Sequence, residues 1–328
     1  MAQPLKSEVQ DGLQAWLAAA GFPLCEPRPL PGDVSPRRYT RLVGADGGSA
    51  ILATYPPEIR DTCTRFLRTS ALLEPAGVPV PRVLASSCDE GWMLVEDLGP
   101  ETLAEWGRDR PWSELQPYFE RALELVDRIG RIPVESVEGL NPRLGGELLR
   151  KELAQTWDLF LQPRALTGGE PLTCALSAAL DAICANLDAE TPVSCHRDFM
   201  VRNLMPVSGD LIVLDHQDLR LGPPAYDLAS LLNDTLFPPP EMEEVLEEVL
   251  LARASFDRVS YHRAAAQRTL KAIGTYASFA LRGADRHLPL VPPTLGRCLA
   301  HLARVPESAP LVSDLAEAWA PVLEPAQA

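Results

Sequence analysis

The chain has 328 residues, 30 basic and 45 acidic, and a formal net charge of −15 at pH 7. Such an acidic field repels phosphate backbones and argues against nucleic acid as the main partner. With 46% apolar and 23% charged residues, composition excludes global disorder, and the length predicts two domains or lobes.

Leu5, Val9, Leu13, Trp16, Leu17 and Ala20 recur at helical spacing, and Gly21 stands where a helix C-cap would. R-Y-T-R-L-V (38–43), the tight turn G-A-D-G-G (44–48) and S-A-I-L-A-T-Y (49–55) predict a hairpin, stopped by Pro56 and Pro57. Residues 58–75 predict a helix, 78–85 an edge strand, and W-M-L-V-E-D-L (92–98) a buried strand running into a loop. From about residue 101 the pattern turns helical. Leu115, Phe119, Ala122, Val126 and Ile129 mark one amphipathic face, Leu149, Leu153, Trp157 and Phe160 a second, and Leu172, Leu176, Leu180, Ile183 and Leu187 a third. An island of strand and loop (193–224) interrupts the helices, which resume at 225–236, 241–256 and 260–282 and continue weakly to the end. The expected class is α+β in two lobes: a small mixed N-terminal lobe (1–98, with a hinge at 95–99) and a large helical C-terminal lobe (99–328).

The seven cysteines are odd in number and contain no C-x-x-C pair. They predict buried free thiols in a reducing compartment, not a disulfide framework or a zinc site. The start, M-A-Q-P-L-K-S-E, lacks a basic-then-apolar signal, and no apolar run reaches the length of a membrane span. A soluble, cytoplasmic, monomeric protein without a membrane partner is the expectation.

The island reads C-H-R-D-F-M-V-R-N-L-M-P-V-S-G-D-L-I-V-L-D-H-Q-D. His196-Arg197-Asp198, four residues and then Asn203 fit the spacing H-R-D-x-x-x-x-N of a phosphoryl-transfer loop. In that arrangement Asp198 meets an acceptor hydroxyl, and Asn203 faces a magnesium ion on the nucleotide phosphates. The hairpin between Asn203 and Asp215 brings a second hard oxygen ligand back to the same ion.

His216-Gln217 follows Asp215 where a protein kinase has Phe-Gly, and only about ten residues precede the next helix, too few for an activation segment. Protein substrates are thereby disfavoured. No lysine occurs between Lys6 and Lys151, and the strand segment that would hold a phosphate-gripping lysine is I-L-A-T-Y. On the turn D-V-S-P-R-R-Y (33–39), Arg37 or Arg38 can supply that charge with bidentate geometry, or can be solvated surface arginines.

These motifs, with A-G-V-P-V-P-R-V-L-A (76–85), L-V-E-D-L-G (94–99), G-P-P-A-Y-D-L-A-S-L-L-N-D (222–234) and L-K-A-I-G-T-Y-A (270–277), resemble the aminoglycoside phosphotransferase superfamily. Within it the chain is most similar to the anomeric N-acetylmuramate/N-acetylglucosamine kinases of cell-wall recycling. The resemblance implies a two-lobed, protein-kinase-like fold and an ATP- and Mg2+-dependent kinase acting on a small-molecule sugar. It implies Asp198 as catalytic residue and Asn203 and Asp215 as metal ligands. Nucleotide contacts would come from Ser35, Arg37, Arg38, Ile51, Glu96 and Leu98, and acceptor contacts from Arg202, Gln217, Asp218, Glu152 and Trp157. Met200-Val201 replaces the branch's usual His-Ser, and His216 its Phe, which points to an altered acceptor pocket. Other readings are an aminoglycoside kinase, a choline- or homoserine-type kinase, and a nucleotide-binding pseudokinase scaffold.

Overall fold

The computed structural model describes residues 7–23, 25–30, 36–44, 47–251 and 256–323. Two compact units divide the chain: residues 1–71 with 80–100, and residues 72–79 with 101–328.

The first unit carries helix α1 (Ser7–Ala19), strands β1 (Cys25–Pro29), β2 (Arg38–Gly44) and β3 (Ser49–Thr54), helix α2 (Asp61–Leu73), and strands β4 (Val83–Ser87) and β5 (Trp92–Glu96). The strands form one antiparallel sheet in the order β1-β2-β3-β5-β4. Side-chain alternation along β3 and β5 gives the sheet two apolar faces. Ala50, Leu52, Trp92 and Leu94 pack with Leu13 and Leu17 of α1. Ala53, Met93 and Val95 pack with Cys63 and Phe66 of α2, and Ile51 lies against that side. Gly91 has φ +76, and a Cβ there would run into the Tyr55 carbonyl; Tyr55 N donates to Gly91 O at 2.8 Å.

Several expectations change here. Strand β1 reads C-E-P-R-P, a sequence that hides a strand because proline cannot donate to a ladder; it survives because β1 is an edge. The expected free thiols at Cys63 and Cys88 are instead a disulfide, with Cα atoms 5.5 Å apart. The sheet carries the β4–β5 turn over α2, a proximity that no Cys spacing encodes. Cys25, Cys174, Cys184, Cys195 and Cys298 remain free, and burial pushes the Cys184 and Cys298 thiols up to about 12. Leu5 lies outside the described residues. Residues 72–79 join the second unit, where Val213 N donates to Pro79 O at 2.8 Å and Arg128 Nη1 to Gly77 O at 2.5 Å.

The second unit contains α3 (Leu103–Trp106), α4 (Trp112–Gly130), α5 (Val134–Val137), α6 (Gly146–Thr156), α7 (Glu170–Ala189), β6 (Val193–Cys195), β7 (Leu204–Val207), β8 (Asp210–Val213), β9 (Arg220–Gly222), α8 (Tyr226–Leu232), α9 (Pro240–Leu251), α10 (Arg258–Leu281), α11 (Val291–Leu302) and α12 (Val312–Leu323). The predicted face of α4 is its buried face. Helix α7 is long and apolar enough to cross a membrane by composition, so the expectation that no run reaches that length was too strict; Leu176, Leu180, Ile183 and Leu187 are buried inside the unit. Helix α10 is the central element, buried along most of its length and packed against α6, α7, α8 and α11.

A neutral histidine pair joins α10 to α11. His262 Nδ1 is 3.1 Å from His301 Nδ1, and His301 Nε2 is 2.9 Å from Asn233 Oδ1. Because Asn233 Oδ1 also accepts from Arg297 Nε, His301 Nε2 carries a proton and its Nδ1 accepts from His262. Burial, with Arg304 and Arg258 nearby, lowers His262 from 6.5 to about 4, and burial with Arg297 places His301 well below 6.5. For a histidine depressed on folding, the unfolded chain binds the extra proton, so stability is full above pH 6.5 and is lost as pH falls toward 4. His262 alone accounts for about 3 kcal/mol of this loss. Asp227, whose carboxyl is raised to about 6 by burial, contributes with the opposite sign over the same range, so the histidine share is read by difference. In denaturant titrations between pH 4 and 8 the native protein should lose more stability below 6.5 than His262→Gln; parallel profiles would contradict the neutral pair.

Candidate active site

The island folds as two short antiparallel pairs. Strand β6 pairs with β9, and β7 with β8 in register Leu204 with Val213. The turn between β7 and β8 is Ser208-Gly209, both at positive φ (51° and 83°), the geometry that matches the twist of a two-residue hairpin. The loop after β6 therefore returns to itself at Asp215.

One residue outside the island shapes that loop. The buried Asp227, in the first turn of α8, accepts backbone N–H bonds from His196 (2.6 Å) and Arg197 (2.9 Å). It holds Arg197 at φ 76°, a left-handed conformation that costs a non-glycine residue about 1–2 kcal/mol. Burial raises the Asp227 carboxyl to about 6 against the pull of His196 and the two amides, so it is ionised at neutral pH. His196 is buried and its Nε2–H donates to Leu214 O at 2.8 Å; its place is structural.

Asp198 is half-buried. Its Oδ1 accepts from Lys271 Nζ at 3.0 Å and from Arg268 Nη2 at 3.5 Å, and its backbone oxygen from Asn203 Nδ2 at 2.8 Å. Burial would raise the Asp198 carboxyl, but Lys271, Arg197 and Arg268 outweigh it and hold the group far below the usual carboxylate range. Around it Arg197 bridges Asp218 (3.0 Å) and Glu152 (2.9 Å). Glu152 also lies 3.7 Å from Lys271, and against the opposing effect of its burial Lys271 and Arg197 hold its carboxyl below the ordinary value. Arg202 grips the buried Asp234 at 2.8 and 3.1 Å.

Asn203 and Asp215 offer hard oxygen donors. Because Asn203 Nδ2 is committed to Asp198 O, the amide is oriented and Oδ1 is its remaining donor to a cation. Asp215, at φ 54°, takes Gln217 Nε2 on Oδ1 at 3.0 Å. Among the described residues there is no cluster of three or more His, Cys, Asp or Glu that could hold a metal ion. A cation at this pair would thus draw its other ligands from water and phosphate oxygens, the habit of Mg2+.

Of the acceptor candidates, Arg202, Asp218 and Glu152 lie in the cluster around Asp198. Gln217 is buried and braces Asp215, while Asn141 Nδ2 holds its backbone oxygen at 3.0 Å. Trp157 is not brought to the cluster: helix α6 passes at that residue into a π turn (157–161), and its ring lines a separate groove of about 290 Å3 with Arg150, Leu153, Ser177 and Asp181. Sequence reasoning missed Arg268 and Lys271 as partners of Asp198. Their signal was a pair of cations three residues apart in the Ala-containing, buried stretch of the helix.

In the first unit, Arg37 and Arg38 stand at the start of β2. The Arg37 guanidinium lies 5.9 Å from the Tyr39 ring centroid, and Arg38 is exposed. Ile51 is half-buried opposite Val95. Glu96 accepts from Arg82 N at 2.8 Å, and the half-buried Leu98 follows Asp97, which Arg41 grips at 2.7 and 3.0 Å. Ser35 lies outside the described residues.

The geometry, a carboxylate and an oriented amide with a returning aspartate five and seventeen positions on, is that of a phosphotransfer loop. The family model described as the phosphotransferase enzyme family matches residues 26–267, and the chain belongs to that family. Its relatives include the N-acetylmuramate/N-acetylglucosamine kinase of Pseudomonas aeruginosa, 32% identical over 310 residues, 90% of this chain and 89% of the relative. The enzyme of the same name from Neisseria meningitidis is 32% identical over 308 residues, 87% of this chain and 88% of the relative. Among solved structures, ADP-bound aminoglycoside phosphotransferase APH(2'')-Ib has a TM-score of 0.61 at 15% identity, covering 97% of this chain and 99% of its own. A choline/ethanolamine kinase family protein from Mesorhizobium loti has a TM-score of 0.58 at 18% identity, covering 94% and 99%. The fold is the kinase-like aminoglycoside phosphotransferase fold, with an N-terminal region of one antiparallel sheet and its helices and a largely helical remainder.

The Asp227 brace has a measurable weight. Asp227→Ala leaves two buried amides without an acceptor and Arg197 without support for its backbone, a loss of about 2–4 kcal/mol. Urea denaturation should show it; a loss under about 1 kcal/mol would mean that the loop holds its shape without Asp227.

Proposed function

We propose that the chain is an ATP-dependent kinase that phosphorylates the anomeric hydroxyl of an amino sugar of the N-acetylmuramate/N-acetylglucosamine type, a step of cell-wall recycling. Relatives spanning nearly the whole chain carry that name. The observation on this chain that carries the reading is the charge balance around Asp198. A polycationic aminoglycoside needs carboxylates with capacity to spare. Here Asp198 is paired with Lys271 and Arg268, Glu152 with Arg197 and Lys271, Asp218 with Arg197 and Arg220, and Asp234 with Arg202. A neutral or singly anionic sugar, with hydroxyls that both donate and accept, suits such a mixed lining better. The joint presence of Asp198, Asn203 and Asp215 favours turnover over a scaffold role.

In this reading Asp198 orients the sugar hydroxyl and takes its proton late, as the bond to phosphorus forms. Its weak affinity for a proton is tolerable because an anomeric hydroxyl is more acidic than an ordinary alcohol. Asn203 and Asp215 hold Mg2+, which when bound neutralises oxygens of the nucleotide phosphates. Arg37 and Arg38 bring positive charge to those phosphates in place of the absent strand lysine. Ile51 packs on the adenine, and the backbone between Glu96 and Leu98 bonds its edge, since the Glu96 and Asp97 side chains are engaged by Arg82 and Arg41. Arg202, Glu152 and Asp218 line the acceptor, and Gln217 acts by holding Asp215.

The direct test is a panel of free sugars, amino sugars, aminoglycosides and choline with ATP and Mg2+, with the phosphate located by NMR. C1 phosphorylation of an N-acetylated amino sugar is expected; preferential turnover of an aminoglycoside would replace this reading. Asp198→Asn should lower kcat about 10^2–10^4-fold, and a folded variant with native turnover would remove Asp198 from the mechanism. Replacing Arg37 and Arg38 together by Ala should weaken nucleotide binding about tenfold, measured by calorimetry; unchanged affinity would release both from that role.

A further inference from the structure

We propose that Lys271 is a positioning residue for phosphoryl transfer: seated by α10, it occupies one oxygen of the Asp198 carboxylate and so presents the other to the acceptor hydroxyl. The proposal rests on the reading of Asp198 given above.

The seating is built into α10. Gln267, Arg268 and Lys271 share one helical face by their spacing. Thr156 Oγ1 donates to Leu270 O at 2.7 Å, and a Cβ at Gly274 would stand 2.9 Å from both N and Cα of Thr156. Only glycine allows α10 to approach α6 this closely. That approach delivers Lys271 between Asp198 and Glu152, at 3.0 and 3.7 Å.

The two carboxylates do not depend equally on the lysine. Glu152 already has Arg197 at 2.9 Å and Gln267 at 3.3 Å. Among the described residues, the Asp198 carboxylate has as hydrogen-bonding cations, apart from Lys271, only Arg268 at the 3.5 Å limit. Both cations address Oδ1, and no hydrogen bond from the described residues reaches Oδ2. The Asp198 side chain is 26% exposed and that of Lys271 12%, so the carboxylate retains access to solvent and has no need of a buried lysine merely to be tolerated. What Lys271 adds is direction. The cation at position 271 makes the shorter of the two contacts with Oδ1, 3.0 Å against 3.5 Å from Arg268, and so sets the carboxylate's direction.

The chemistry balances without a proton on Lys271. The bond from the sugar oxygen to the γ-phosphorus forms as the bond from that phosphorus to the β,γ-bridging oxygen of ATP breaks. The hydroxyl proton passes to Asp198 Oδ2 and then to solvent. Lys271 stays an ammonium throughout.

The test compares Lys271→Met, Lys271→Gln and Lys271→Arg with the native protein and with Asp198→Asn. Lys271→Met should lower kcat about 100-fold with the KM for ATP changed less than twofold, and Lys271→Arg should recover most of that loss. Because Lys271 acts through Asp198, adding Lys271→Met to Asp198→Asn should cost nothing further. Should the Met variant not fold, Lys271→Gln, which keeps a donor without the charge, takes its place, and the order native, Arg, Gln is expected. The proposal is overturned by a folded Met or Gln variant with kcat within threefold of native, by a loss confined to KM, by an Arg variant no better than the neutral ones, or by an additive double variant. Native-like turnover by Asp198→Asn would instead overturn the assignment of Asp198, a separate failure.

Discussion

The carboxylate of Asp227, accepting two successive backbone N–H bonds, is the constraint on which the rest of the site depends. A loop that must present His196, Asp198 and Asn203 in three directions cannot stay in extended or helical backbone, and the left-handed Arg197 makes the necessary reversal. Such a conformation persists only when its surroundings over-determine it. Two amides on one buried acceptor, with Ser230 Oγ donating to Arg197 O at 3.3 Å, provide that. Once the reversal is set, the Arg197 side chain reaches Glu152 and Asp218, the side chain of Asp198 turns toward α10, and the Asn203 amide closes back on Asp198.

The parts of this arrangement written in contiguous sequence were readable. His196, Asp198, Asn203 and Asp215 lie within twenty residues, and the intervening Ser208-Gly209 turn announces itself through residues that accept positive φ. The alternation of β3 and β5 and the period of α4 are likewise local properties of the chain. What escaped reading was set by tertiary packing. Lys271 meets Asp198 across 73 positions, and only the close contact at Gly274 makes that meeting possible. Cys63 and Cys88 are joined by sheet geometry. Strand β1 contradicts its own propensity and is permitted by its edge position, and Trp157 lines a groove with Leu153, Ser177 and Asp181.

The scarcity of lysine acquires a specific meaning in this light. Arginine serves nearly every ion pair among the described residues of the second unit, where its planar fork suits bidentate grips such as that of Arg121 on Asp210. The exception is the buried contact with Asp198. Burial pulls the Lys271 ammonium below its ordinary value, with Asp198 working in the opposite direction. A chain that otherwise prefers arginine thus keeps a lysine between Asp198 and Glu152.

Bulk charge and site charge are therefore separate properties of this protein. The excess of 15 acidic residues resides outside the Asp198 cluster, where carboxylates and cations match closely. An acceptor approaching the molecule meets an anionic field, which attracts cations over a Debye length of about 8 Å at physiological ionic strength. At the cluster around Asp198, where the proposed reading places it, it would meet paired charges, and any group it brings would have to compete with short contacts already made. Long-range attraction thus selects little, and recognition falls to hydrogen-bond geometry, the kind of discrimination in which a hydroxyl-rich ring differs most from a flexible polyamine.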